Sequence, residues 1–168
     1  QTSMRRRRFH LRQTVEELLV TLQPLFKRTA HRIEREIPPD LELDSYPGPL
    51  EQVIVNLINN SLIHGFVARE AGLIRLHAEA FDADRVQLRY ADDGVGISEK
   101  IQNRIFDPFF TTQLGSGGSG LGLYIVYNIV TVILGGTIQV QGSPGAGTTF
   151  TLILPRIAPD RPALAPAA

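Results

Sequence analysis

The chain has no cysteine, only two lysines, and no apolar run reaching the roughly 18 residues that a membrane-spanning helix needs. Without cysteine there are no disulfides, thiolate nucleophiles or sulfur-ligated metals, which suits a reducing, cytoplasmic setting. Lys27 and Lys100 both lie outside any glycine loop, so a GK[ST] phosphate loop is excluded. Neither sign of charge predominates: 17 basic residues balance 17 acidic ones, so no global field draws the protein to nucleic acid or to anionic lipid. No apolar signal segment follows the Arg5 to Arg8 run, which reads as a solvated linker rather than a nucleic-acid arm. A soluble single domain is expected, because 168 residues, 43% of them hydrophobic, bury one core and are too few for two.

Along the chain, Val15, Leu18, Leu19, Leu22, Leu25 and Phe26 recur at helical spacing, which predicts a helix over Gln13 to Ala30 that Pro24 bends or shortens. Runs at Ile33 to Ile37 and Leu41 to Tyr46 read as strands. Leu50, Val53, Ile54, Leu57, Ile58, Ser61 and Leu62 mark one face of a second helix running to about Phe66. Gly72 to Ala80 and Arg85 to Ala91 alternate polar and apolar residues around Asp82-Ala83-Asp84, the pattern of a strand hairpin. Ser98 to Leu114 is irregular. Gly120 to Leu134 is apolar nearly all round, as a deeply buried helix would be, and Gly135-Gly136 stops it. Thr137 to Gln141 and Thr148 to Leu154 are β-branched strands, and the Pro/Ala-rich residues 156–168 read as a disordered tail. This order, without regular βαβ alternation, predicts an α+β two-layer sandwich: about three helices on one face of a mixed, mostly antiparallel sheet.

Three stretches carry chemistry. On the second helix Gln52, Asn56, Asn60 and His64 are four apart and form one polar stripe. Asparagine is a poor helix former that a merely solvated face would replace, and its carbonyl is a neutral hard oxygen suited to a Mg²⁺ that keeps waters and binds phosphate, which singles out Asn60. His64 is open between a surface cap and a phosphate contact. Beyond a strand, YADDGVGI sets Gly94 and Gly96 two and four residues after Asp92, where the backbone turns and admits a close approach. A carboxylate there accepts a hydrogen bond from the amino group of adenine, whereas guanine would present a carbonyl oxygen to it; Asp93 reads as a turn residue. Third, GSGGSGLG between Gly115 and Gly122 precedes a helix and offers backbone amides to an anion. Its literal GxGxxG match is not dinucleotide binding, because no parallel strand precedes it and no Asp or Glu occurs from Pro108 to Pro159. Phosphates would be neutralised by Mg²⁺, by amides and by an arginine such as Arg104.

Taken in order, EQVIVNLINNSLIHG, DDGVGI, IFDPFFTT, GGSGLGL and GAGTTF resemble the N, G1, F, G2 and G3 boxes of the catalytic, ATP-binding domain of two-component sensor histidine kinases, the Bergerat-fold superfamily that includes gyrase, the Hsp90 chaperones and MutL. The resemblance covers roughly Leu50 to Pro155 and implies a linker and first strand over 1–12, the catalytic domain over 13–155 with an ATP lid at 98–119, and a tail over 156–168. It implies ATP and Mg²⁺ as cofactors, with Asn60 the metal ligand and Asn56 beside the phosphates, both in catalytic roles. Asp92, Gly94, Gly96 and Ile97 would surround the base, and Thr148 would support that pocket. Phe106, Phe109 and Phe110 would anchor the lid, and Gly118, Ser119, Gly120, Leu121 and Gly122 would line the phosphates. Many members carry a lysine where this chain has Ile63, which leaves phosphate contact from this helix to His64. The activity implied is transfer of the γ-phosphoryl of ATP to a histidine on a separate upstream dimerisation domain, with a response regulator downstream. His10, His31, His64 and His77 do not stand where that acceptor would, so the chain alone is expected to bind ATP as a monomer without phosphorylating itself, within a homodimeric protein that the inner membrane can anchor. The alternatives are a nucleotide-sensing module without phosphotransfer, an anti-sigma-factor serine kinase, and an ATPase of the gyrase kind. The last needs a water-activating glutamate where Asn56 stands.

Overall fold

The computed structural model describes residues 5–67, 69–110 and 121–160. Strand β1 (Arg7–His10) leads into helix α1 (Leu11–Lys27), followed by β2 (Arg32–Glu36), β3 (Glu42–Ser45) and helix α2 (Pro47–Asn60), which continues as a π-helical turn over Ser61–Gly65. Then come β4 (Leu73–Ala80), β5 (Arg85–Asp92), the short helix α3 (Glu99–Gln102), helix α4 (Gly122–Asn128) with its own π-helical turn at Ile129–Ile133, β6 (Thr137–Gly142) and β7 (Thr148–Pro155). Strands β2-β4-β5-β7-β6 form one mixed sheet in that order, parallel only between β2 and β4. The α+β sandwich expected from the sequence is the fold observed.

Period-two alternation fixes which side of the sheet is covered. Ile74, Leu76 and Ala78 of β4, Val86, Leu88 and Tyr90 of β5, and Phe150, Leu152 and Leu154 of β7 all point inward and are buried. Leu50, Val53, Ile54, Leu57 and Ile58 of α2 pack on them in one core with Leu11, Val15, Leu18 and Leu19 of α1 and with Val126, Ile129 and Val130. Asp92 is the last inward residue of β5. The alternation that builds the core therefore delivers a carboxylate to its edge.

Helix α1 runs through Pro24 but ends at Lys27, short of the expected Ala30; the carbonyl that a Pro24 amide would have met is that of Val20, an exposed residue whose carbonyl water can reach. Three sequence expectations change. The Arg5 to Arg8 run is not simply a solvated linker, because Arg7 and Arg8 pair with Ser45 and Asp44 in a separate β1–β3 ribbon. Residues 156–160 of the expected tail are hydrogen-bonded in place. Asp44 N–H donates to Arg156 O at 2.7 Å and Ala158 N–H to Asp44 O at 2.8 Å, while the Arg6 guanidinium donates to Ala158 O and meets Asp160, each at 2.8 Å. Helix α4 is not deeply buried: Tyr124, Ile125, Tyr127 and Val132 are exposed, because a two-layer sandwich packs only one face of a helix. No helix among the described residues is long and apolar enough to cross a membrane.

Candidate functional site

The end of α2, the loop after β5 and the start of β7 meet at Asp92. This carboxyl is only 7% exposed. Its Oδ2 accepts from Ser61 Oγ at 2.7 Å and its Oδ1 from Gly94 N–H at 3.0 Å. Burial pushes its pKa above the ordinary aspartate value, and the Ser61 hydroxyl with the amides of Gly94 and Thr148 pulls it back down. A carboxylate has about four lone-pair sites, so these donors leave room for one more. Ser61 and Tyr90, both fully buried, stand behind it: Ser61 Oγ lies 2.6 Å from Tyr90 Oη, which also reaches Leu57 O at 3.0 Å.

The approach of α2 to this loop needs glycine. Val95 N–H donates to Gly65 O at 2.8 Å, and a Cβ on Gly94 would fall on that same carbonyl oxygen. Gly96, at φ +76°, presses against the Ser143 carbonyl in the β6–β7 turn. Gly94→Ala therefore sets a side chain against the Gly65 backbone and should cost about 2 kcal/mol, as overpacked sites do. A urea titration checks this, and a wild-type midpoint would mean the two segments stand further apart. Asp93 is structural, as expected of a turn residue: its Oδ1 accepts from Leu73 N–H and its Oδ2 from Arg69, each at 2.8 Å.

Along α2 the polar stripe is partly engaged. Asn56 accepts from Gln52 Nε2 at 2.6 Å and donates from Nδ2 to Gly122 O at 3.2 Å, which ties the helix to the first residue of α4. Asn60 is half-buried and has no side-chain partner among the described residues. The π-helical turn begins at the next residue, with Phe66 N–H donating to Ser61 O. Its wider i→i+5 winding breaks the four-residue register, so His64 does not continue the Asn56–Asn60 row as α-helical spacing had it. His64 is half-buried, its Nδ1 finds no partner among the described residues, and burial lowers its pKa, which favours the uncharged imidazole. It can offer phosphate a hydrogen bond but little charge.

Other expected residues divide. Thr148 is buried beside Asp92 as its partner across the β5–β7 pair, and the Ile97 side chain lies against Gly142. Phe106 packs on Phe150 and Tyr127, at 6.3 and 5.5 Å between ring centroids, and anchors the segment. Phe109 does not, being 70% exposed, and Phe110 instead lies under Arg104. Leu121 directly precedes α4. Gly118, Ser119 and Gly120, with the rest of the expected lid beyond Phe110, lie outside the described residues. The sequence reading missed Ser61 and Tyr90. Ser61 was visible as the single hydroxyl on an apolar helix face, and Tyr90 as an inward strand residue two before the carboxylate.

A buried, donor-lined carboxylate thus lies beside the end of a helix whose Asn56 reaches the glycine-led start of α4. The profile of histidine kinase-, DNA gyrase B- and HSP90-like ATPases matches residues 46–158. The chain belongs to that family. Within these ATPases it is 36% identical over 155 residues to the sensor histidine kinase AruS of Pseudomonas aeruginosa, covering 84% of this chain but 15% of AruS. The catalytic domain of the histidine kinase ThkA superposes with a TM-score of 0.76 at 27% identity, over 90% of this chain and 96% of that domain. Full-length ShkA in complex with AMPPNP superposes with a TM-score of 0.74 at 27% identity, over 95% of this chain and 33% of ShkA. The chain is an ATP-binding catalytic domain of the sensor histidine kinase kind, spanning a small part of the length of such kinases.

Proposed function

We propose that this domain seats ATP with its adenine amino group on Asp92 and its triphosphate between Asn60 and the start of α4, and passes the γ-phosphoryl to a histidine of a separate helical dimerisation domain. The observation that carries the reading is the Asp92 carboxyl, buried yet supplied with donors from Ser61, Gly94 and Thr148 and left with acceptor capacity. Burying a carboxyl there is costly without a partner, and an exocyclic amino group is a suitable one.

Mg²⁺ fits the donor set. No cluster of three acidic or histidine side chains able to hold a metal occurs among the described residues, and Asn60 offers a hard oxygen without a side-chain partner among them, as suits a cation that keeps waters and phosphate oxygens. When bound, the ion would neutralise charge on the phosphates. Asn56 fixes the start of α4 through Gly122, where a helix start suits an anion, and Phe106, packed on Phe150, would hold the base of the expected lid. In the transfer, an imidazole nitrogen of the acceptor attacks the γ-phosphorus as the bond to the ADP oxygen breaks, and the chain's residues position rather than react. Asn56 cannot activate a water as a glutamate would, which favours transfer over hydrolysis. The remaining partners follow: a response regulator receives the phosphoryl indirectly, a homodimer forms through the helical domain, and the site faces the cytoplasm, where ATP is.

Mixing the domain with γ-labelled ATP, Mg²⁺ and the helical domain that precedes it in the parent protein should label that domain with acid-labile, base-stable phosphate. Label released only as inorganic phosphate would mark an ATPase, and bound nucleotide without turnover would mark a sensing module.

A further inference from the structure

Tyr90 has no role in the reaction so far described and Ser61 only supplies Asp92 with a donor, yet both are fully buried hydroxyls of the core edge and both lead to Asp92. Their protons can be arranged in two ways. With Asp92 ionised, Tyr90 donates to Ser61 and Ser61 donates to Asp92 Oδ2; Leu57 O stays satisfied by the Ser61 backbone N–H. With Asp92 protonated on Oδ2, every donor reverses: Asp92 donates to Ser61, Ser61 to Tyr90, and Tyr90 to Leu57 O at 3.0 Å. Neither arrangement strands a buried polar atom, which is what makes the chain reversible.

We propose that Ser61 and Tyr90 are positioning residues, a two-state hydroxyl relay that holds Asp92 Oδ2 from behind and keeps the carboxyl an acceptor toward the purine. The inference rests on the nucleotide site proposed above. In both states the mobile proton lies on the Ser61 side of the carboxyl, so Asp92 does not turn a donor toward the base, and a purine carrying a carbonyl in place of the amino group is refused. Other charged and titratable groups near the carboxyl are few. Asp93, adjacent in the chain, is paired with Arg69. The π-helical turn carries His64 one residue before Gly65, and β4 and β7 oppose Asp92 with Ile74 and Thr148, which do not titrate. Burial keeps the Tyr90 hydroxyl protonated throughout, far above its ordinary range.

The test is calorimetric binding of MgATP and MgGTP to the domain from pH 5 to 8, for wild type, Ser61→Ala, Tyr90→Phe and Asp92→Asn. Ser61→Ala removes the donor to a charged group and should weaken MgATP about tenfold at neutral pH. It should also move the acid limb of binding to higher pH, because the hydroxyl that favours the ionised carboxyl is gone, and narrow the preference over MgGTP. Tyr90→Phe keeps the ring against Phe150 and should move the acid limb the same way by less, so it remains informative if Ser61→Ala folds poorly. Profiles of both variants superimposing on wild type, with only a lowered melting temperature, would overturn the relay. Asp92→Asn separates the two levels. If it binds MgATP like wild type, the nucleotide site itself is wrong; if it loses binding while the other two keep the wild-type pH profile, only the relay falls.

Discussion

Asp92→Asn is expected to weaken ATP binding by at least about tenfold without unfolding the domain. An amide in place of the carboxyl keeps one oxygen for the Gly94 N–H and turns its amino group toward Ser61. The hydroxyls then take the reversed arrangement, ending on Leu57 O. What is lost is acceptor strength toward the adenine amino group. Stability should move the other way. Burial raises the pKa of Asp92 in the fold above its unfolded value, so its favourable contribution is complete below the unfolded pKa and is lost as pH rises through the folded one. At neutral pH the charged carboxyl therefore costs stability, and the asparagine variant should melt no lower than wild type. A variant that binds ATP normally would remove the adenine role from Asp92, and one that melts much lower would show a carboxyl held for structure. Calorimetry and a thermal melt on the same sample decide both.

Asn60→Ala is expected to abolish the Mg²⁺ dependence of nucleotide binding, with a loss of affinity in saturating Mg²⁺ of about tenfold or more. Asn60 is half-buried and lacks a side-chain partner among the described residues, so its truncation breaks no fold contact seen there. ATP titrations with Mg²⁺ and with chelator should converge on one weak affinity. Full Mg²⁺ dependence in the variant would assign the cation to other ligands. Asn56→Ala should behave differently, because its amide ties α2 to Gly122: a moderate loss of affinity with and without Mg²⁺ is the signature of a misplaced α4 start.

Much of this could be read from one dimension. The apolar face of α2 and the β4–β5 hairpin follow from periods of 3.6 and two, and their limits differ from expectation by a few residues. The carboxylate and its two glycines were legible because a tight turn beyond a strand demands those residue types. The burial of α4 was misread, since an apolar composition does not say how many layers will cover a helix. The π-helical turn after Asn60 leaves no periodic trace over five residues, so the row of polar residues was carried one position too far, to His64.

The order of residues alone determined the sandwich, the helix that carries Asn60, and the strand that ends at Asp92, because each depends on spacing within one short segment. Only the tertiary structure decided that residues 156–160 return to β3 and that Ser61, 29 positions before Tyr90, closes a hydrogen-bonded chain behind the carboxyl. Such contacts join segments distant in sequence, and they exist only once the core has brought two element ends to the same edge.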